Sequence, residues 1–367
     1  MLEDAPLRKE EFDLGRLAGK KIALVTHVHP HQRWPEEGPS LAVAREFDLI
    51  RNLFRMDTYY VYQVKAEDLR DYDLIILIHF APDFPELLFD IKRTSRTKVA
   101  LLIDGGCEYF TWFPVRDLRL KLAWLKECDL VLTWSATKTS FLSMFTGAPV
   151  VSLDNPAPVH HLVDFIVPRE KREPRVLVNG SLGLHWNGLT SLMVALEAGM
   201  PVDVLQQDIL HQNGSRDEEK VQFYESLARK YRREIRILPY MIWYPDFIKQ
   251  VSRYYLAVCL DARTVSGRFT GDLASVGVPV VGSNTLEQQR ECFPEITVPP
   301  YDGAAARAKV ARLLRDNDFY EHVCRYAIEK KYRRSNYRRF FRTLRDALEG
   351  LFENIEKLTT TITHYNH

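Results

Sequence analysis

Asp261, Arg263, Thr264, Ser266, Arg268 and Asp272 fall in one short stretch of this chain, with Gly267 and Gly271 among them. Guanidinium and carboxylate groups beside glycines are residue types suited to holding a phosphorylated ligand. Arginine pairs with phosphate oxygens through its planar fork, and a helix start offers backbone N–H groups to an anion. Two apolar runs must position these residues: Leu256 to Leu260 before them and Pro279 to Gly282 after, with a short helical pattern between. Apolar runs of this length around a helix are the pattern of a parallel βαβ unit. In open parallel sheets ligands sit outside the carboxyl ends of the strands, where this loop falls. The same residues also suit an ordinary solvated loop, and the local pattern leaves both readings open.

The 367 residues allow about two domains. The chain is 46% hydrophobic and 27% charged, with a formal net charge of +1. That balance describes a globular protein with a real core and gives no general pull toward nucleic acid or membrane. Cys107, Cys128, Cys259, Cys292 and Cys324 are scattered, without a C-x-x-C pair, so reduced thiols are expected rather than disulfides or zinc ligands. The N-terminus has no apolar signal segment and no run of eighteen apolar residues occurs, so a cytoplasmic location is expected.

Taken in order, Lys21 to Val28 reads as a buried strand and Ser40 to Phe54 as an amphipathic helix. Strands follow at Thr58 to Val64, Leu74 to His79, Val99 to Ile103, Leu130 to Trp134 and Val150 to Leu153. Helical patterns at Pro85 to Thr94, Leu118 to Glu127 and Ala136 to Phe145 lie between them. Near-continuous apolar strands alternating with helices predict a parallel sheet covered on both faces. A stretch rich in Pro and charge, Asp154 to Pro174, reads as a linker. A second series then repeats the architecture, with strands at 176–178, 202–205, 235–238 and the opening pair, and helices at 189–198, 217–231 and 243–251. Helices at 304–315 and 319–330 and a long basic, aromatic helix from Asn336 complete it. The domain reading is residues 1–160, a linker at 161–174, a second domain at 175–335 and a C-terminal helix at 336–367.

Asp272-Leu-Ala-Ser-Val-Gly-Val-Pro-Val-Val resembles the E-A-x-A-x-G-x-P-V-V segment of GT-B glycosyltransferases, in particular the retaining nucleotide-sugar family with two glutamates eight positions apart. Further segments match in order: YDLIILIHFAP, the run from Leu130 to Pro158, Pro299-Pro-Tyr-Asp-Gly-Ala, and Ser335-Asn-Tyr-Arg-Arg-Phe. The resemblance implies two Rossmann-like domains facing each other across a cleft, with the C-terminal helix crossing back to the first. It implies transfer of a sugar from a nucleotide diphosphate donor, with no cofactor besides that co-substrate. In the family the second glutamate contacts the donor ribose. Asp272 stands there, one methylene shorter, whereas Thr264 replaces the first glutamate. The family also carries an Arg and a Lys that stabilise the leaving diphosphate; Ser181 and Asn187 stand in those places, in the stretch opening with Gly180. Arg263 and Arg268 are the cations left to take that role, although Arg263 has Asp261 as an alternative partner. Tyr240 and Met241 fall where the family binds the base, and Gly267 where a turn faces sugar and diphosphate.

On the acceptor side, the resemblance gives His79 a hydrogen bond to the transferred sugar. Asp104, in IDGG, is the nearby carboxylate able to act as a base if the reaction inverts, and is equally suited to a turn. His27, His29 and Arg33 belong to the first loop, which would face the acceptor. The T-H-x-H-x-H order there also resembles the metal motif of metallo-β-lactamase-like hydrolases. His31 replaces its Asp and Gln32 its last His, and no metal is expected. Lys330 to Arg345 is the one strongly basic stretch; besides a solvated, packed helix it suits an anionic lipid surface or a nucleic acid backbone. Because Thr264, Ser181 and Asn187 depart from the pattern, a non-catalytic nucleotide-sugar-binding protein is the alternative, and a nucleotide-sugar epimerase a second.

Overall fold

The computed structural model describes residues 12–26, 50–51, 53–78, 86–103, 105–108, 110, 114–156, 162–179, 182, 186–205, 217–238, 244–334 and 337–364. The chain divides into two compact units, one of Met1–Gly38, Ala44–Pro156 and Asn336–His367, the other of Pro39–Val43 and Ala157–Ser335.

In the first unit the elements run β1 (Ile22–Thr26), β2 (Asp57–Tyr60), α1 (Ala66–Leu69), β3 (Leu74–Ile78), α2 (Glu86–Thr94), β4 (Lys98–Ile103), α3 (Val115–Glu127), β5 (Leu130–Thr133), α4 (Thr139–Ser143) and β6 (Val150–Ser152). The six strands form one sheet in the order β2-β1-β3-β4-β5-β6. Every pairing is parallel. Strands β1, β3 and β5 are buried along their whole length, as parallel strands with covered faces must be. The strand order reverses between β1 and β3, so their carboxyl ends lie side by side.

The second unit runs β7 (Glu173–Asn179), α5 (Gly188–Glu197), β8 (Val202–Leu205), α6 (Glu218–Tyr231), β9 (Ile235–Leu238), α7 (Tyr244–Val251), β10 (Tyr254–Cys259), α8 (Arg268–Ser275), β11 (Val280–Ser283), α9 (Glu287–Cys292), β12 (Thr297–Val298), α10 (Gly303–Arg315) and α11 (Asn317–Arg334). Its sheet is also parallel, in the order β12-β11-β10-β7-β8-β9. The last helix, α12 (Tyr337–His364), groups with the first unit.

Several boundaries differ from the sequence reading. Strand β7 starts at Glu173, inside the expected linker. Pro174 is tolerated there because the pairing with β10 shifts register between Tyr254 and Leu256, and proline, with no N–H to donate, fits at such irregularities. Helix α3 starts at Val115, directly after Pro114; Val115 is exposed and so left no mark on the apolar pattern. The expected helix from Ala136 splits into a tight turn, Ala136–Lys138, and α4. Helix α11 begins two residues early because the Asp316 carboxylate accepts the Phe319 N–H at 2.9 Å, capping its first turn. Most of the helix expected from Ser40 to Phe54 lies outside the described residues.

Candidate functional site

The second sheet reverses its order between β7 and β10, which makes the crevice at their carboxyl ends the expected ligand position in this topology. The two loops leaving those ends carry most of the residues singled out in the sequence. Asn187 caps α5 in a left-handed conformation, φ 49°. Its amide nitrogen donates to the Leu260 carbonyl at 2.9 Å and to the Pro300 carbonyl, while its amide oxygen accepts from the Thr190 hydroxyl at 2.5 Å. The Leu260 N–H in turn donates to Ser191 Oγ at 2.9 Å. Asn187 therefore ties the start of α5 to the end of β10, a structural use of its side chain.

Arg263 takes the alternative partner its sequence offered. Its Nε lies 3.0 Å and 3.2 Å from the two Asp261 oxygens, and a terminal nitrogen lies 2.6 Å from Oδ2. The guanidinium carbon also lies 3.2 Å from the centre of the Trp186 ring, in the loop after β7. Only 8% of Arg263 is exposed. Stacking and a two-pronged ion pair hold it across the two loops.

Beyond Arg263 the chain turns into α8. Gly267 caps that helix at φ +84°, a conformation that favours glycine, and a Cβ there would lie 3.1 Å from Leu286 Cβ. As a glycine, the N-cap has no side chain to cap α8, and the first turn holds no acidic residue. The helix dipole there favours an anion, and Arg268 opens that turn half-buried. Asp272, one turn on, is 3% exposed, and its Oδ1 accepts the Tyr244 hydroxyl at 2.9 Å. Thr264 is half-buried. The stretch thus brings Thr264, Gly267, Arg268 and Asp272 together at the carboxyl end of β10, as its βαβ pattern requires.

The remaining expected site residues, His27, His29, Arg33, His79, Asp104, Gly180, Ser181, Tyr240 and Met241, lie outside the described residues. Among the described residues no group of three or more His, Cys, Asp or Glu side chains could hold a metal ion. All five cysteines are free. Burial pushes the Cys259 thiol up to about 12 and Cys128 to about 11, so both are inert core thiols.

The basic stretch from Lys330 resolves into two faces. Tyr332, Phe340 and Phe341 are buried, while Arg333, Arg338, Arg339 and Arg342 are exposed. No described helix is long and apolar enough to cross a membrane.

Two parallel six-stranded sheets, each flanked by helices and the second reversing at the crevice just described, define a GT-B fold. No protein-family profile and no curated protein sequence matches the chain. Solved structures do. Sucrose-phosphate synthase from Thermosynechococcus elongatus aligns with a TM-score of 0.69 at 14% identity, over 91% of this chain and 99% of that one. Anabaena HepE, in complex with UDP, aligns at 0.66 and 11% identity over 90% and 100%. The UDP-forming alpha,alpha-trehalose-phosphate synthase from Burkholderia vietnamiensis aligns at 0.65 and 10% over 93% and 99%. At these identities the likeness is one of fold.

Proposed function

We propose that this protein is a glycosyltransferase that moves a sugar from a nucleoside diphosphate donor to an acceptor. The observation that carries the reading is the start of α8, with a glycine at its N-cap and no acidic residue in its first turn, Arg268 on that turn and Asp272 behind it. UDP bound to HepE, a protein of the same fold, supports a nucleotide donor. In this reading the α8 N-terminus and Arg268 stabilise the charge that develops on the leaving diphosphate. Asp272, whose carboxylate also accepts from Tyr244, accepts the ribose hydroxyls. His79 binds the transferred sugar, Asp104 serves as base if the reaction inverts, and a retaining course follows from the resemblance. The donor is a co-substrate and the proposal includes no cofactor and a cytoplasmic setting. The exposed arginines of the C-terminal basic stretch, Arg338 and Arg342, offer an anionic surface a contact, tested by flotation with vesicles containing phosphatidylserine.

A second reading, nucleotide-sugar binding without turnover, is favoured by the commitment of Asn187 to two carbonyls and of Arg263 to Asp261. That leaves the leaving group fewer cations than a transfer reaction uses. Assays of UDP-, GDP-, ADP- and TDP-sugars with acceptor extracts separate the two. Release of nucleoside diphosphate with product formation supports transfer; binding with no turnover overturns it. Conversion of a donor with no acceptor present identifies an epimerase instead.

A further inference from the structure

Behind the loop that precedes α8 lies a relay that neither the motif nor the fold assigns. Lys331, on α11 and 3% exposed, donates from its ammonium to Gln288 Oε1 at 2.5 Å. Gln288, 7% exposed on α9, donates from Nε2 to Ser266 Oγ at 3.0 Å. Backbone bonds from Glu287 N–H to the Val265 carbonyl at 3.1 Å and from Gln288 N–H to the Ser266 carbonyl at 2.9 Å fix the same register. Room for the relay is made by Gly271 in the middle of α8: a Cβ there would lie 1.7 Å from Gln288 Oε1 and 2.9 Å from Lys331 Nζ. Glycine inside a helix is unfavourable relative to alanine, so a contact of this kind is a reason for its presence.

The chemistry of the three groups gives the relay a direction. An ammonium has only donors, so it selects the oxygen of the Gln288 amide and turns the amide nitrogen toward Ser266. The nitrogen is a donor only, so Ser266 Oγ must accept. Its own O–H proton is then left to donate, immediately before Gly267 and the start of α8. We infer that Ser266 donates a hydrogen bond to a phosphate oxygen of a nucleoside diphosphate, with Lys331 and Gln288 as the positioning residues that set its polarity. The inference rests on the donor-site reading above and adds a binding residue to it.

The test is isothermal titration of UDP, GDP, ADP and TDP, each beside its own nucleoside, against the full chain and three variants. Ser266→Ala is expected to weaken diphosphate binding about ten- to a hundredfold, the range for one hydrogen bond to a charged group, and to leave the nucleoside unchanged. Gln288→Glu keeps the shape and the contact with Lys331 but offers Ser266 an acceptor, which captures its proton. It is expected to match the Ser266→Ala loss with the melting temperature maintained or raised, and the double variant is expected to lose no more than either. A merely structural Gln288 would not give that pattern. Wild-type affinity in Gln288→Glu alongside a loss in Ser266→Ala overturns the relay. Wild-type affinity in Ser266→Ala, or an equal loss for the nucleoside, overturns the phosphate contact. If the wild-type chain binds no nucleoside diphosphate, the donor-site reading fails and this inference falls with it.

Discussion

In the proposed reaction Arg268 and Asp272 divide the donor between them, one taking charge and the other the ribose. With Arg263 held by Asp261 and Trp186, and Asn187 bonded to Leu260 and Pro300, Arg268 is the cation on which the proposed reaction depends most. Arg268→Ala is expected to reduce turnover by about two to three orders of magnitude and diphosphate affinity with it, while nucleoside binding holds. Arg268→Lys should recover part of the loss, since a point charge lacks the fork. Steady-state kinetics and calorimetry on the same preparations check this; an unaffected Arg268→Ala enzyme removes the arginine from the site. For Asp272→Asn the amide oxygen still accepts from Tyr244, so the fold is retained, but the amide nitrogen cannot accept a ribose hydroxyl. Nucleotide affinity is expected to fall by about 1–3 kcal/mol. Tyr244→Phe leaves the carboxylate charge in place and should cost less; equal affinity for wild type and Asp272→Asn argues against the ribose role. Both candidates are legible in the sequence because they lie in one string whose motif order is local. The contacts of Trp186, Gln288 and Lys331 are not, because each residue reaches the string from outside it, and nothing in the stretches that hold them points to those partners.

At the scale of elements, the apolar periodicity showed all six strands of the first sheet and five of the second, since parallel strands buried on two faces read as unbroken apolar runs; the edge strand β12 has two residues, too few to show a pattern. What it could not show was charge placed inside a sheet. Asp203, in the middle of β8, is fully buried and accepts from Arg175 on β7, Arg236 on β9 and Tyr254 on β10. The Val-Asp-Val-Leu string of β8 gives no hint that one carboxylate joins four strands. Burial alone would raise the Asp203 carboxyl, but the bonds from Arg236, Tyr254 and Arg175 outweigh it and hold the group below its ordinary value. A carboxylate depressed in the folded state contributes stability that is fully present above its unfolded value of about 3.9 and is lost as pH falls through the lower folded value. Asp203→Asn is therefore expected to cost about 3–5 kcal/mol at neutral pH, the range for breaking a buried ion pair, because it leaves the arginines undercompensated. Urea unfolding across a pH series checks the sign: the gap between wild type and variant should narrow below about pH 4. A gap independent of pH would assign the loss to packing.

At the scale of the molecule, the first unit is completed by the last helix of the chain. Phe340, Leu344 and Leu348 on α12 are fully buried, and Phe341 and Leu351 nearly so. Phe341 packs edge-on to Phe12 with ring centres 4.8 Å apart and stacks on Phe54 at 5.0 Å; Phe340 stacks on Trp134 at 6.1 Å. Polar contacts follow the same seam. The Arg16 N–H donates to Glu349 at 2.7 Å, and Arg339 pairs with Asp154 at 2.9 Å. The interleaved aromatic and basic residues of this segment thus separate into a packed face and a solvated one, which composition alone left ambiguous. Burying a large apolar side chain contributes roughly 1.5–3 kcal/mol, so the packed face is a substantial part of what holds the unit together. Phe341→Ala is expected to destabilise the unit by about 3–5 kcal/mol, the cost of lost burial plus the cavity left between Phe12 and Phe54. Arg342→Ala, on the exposed face, should stay within about 0.5 kcal/mol of wild type. Denaturant unfolding followed by tryptophan fluorescence reports on both, because Trp134 lies against the adjacent Phe340. Ending the chain after Arg334 should expose Trp134, Phe54 and the strand faces beneath them and yield aggregated protein, whereas a truncated chain that stays monomeric with a native-like fluorescence spectrum would show that α12 is dispensable to the unit.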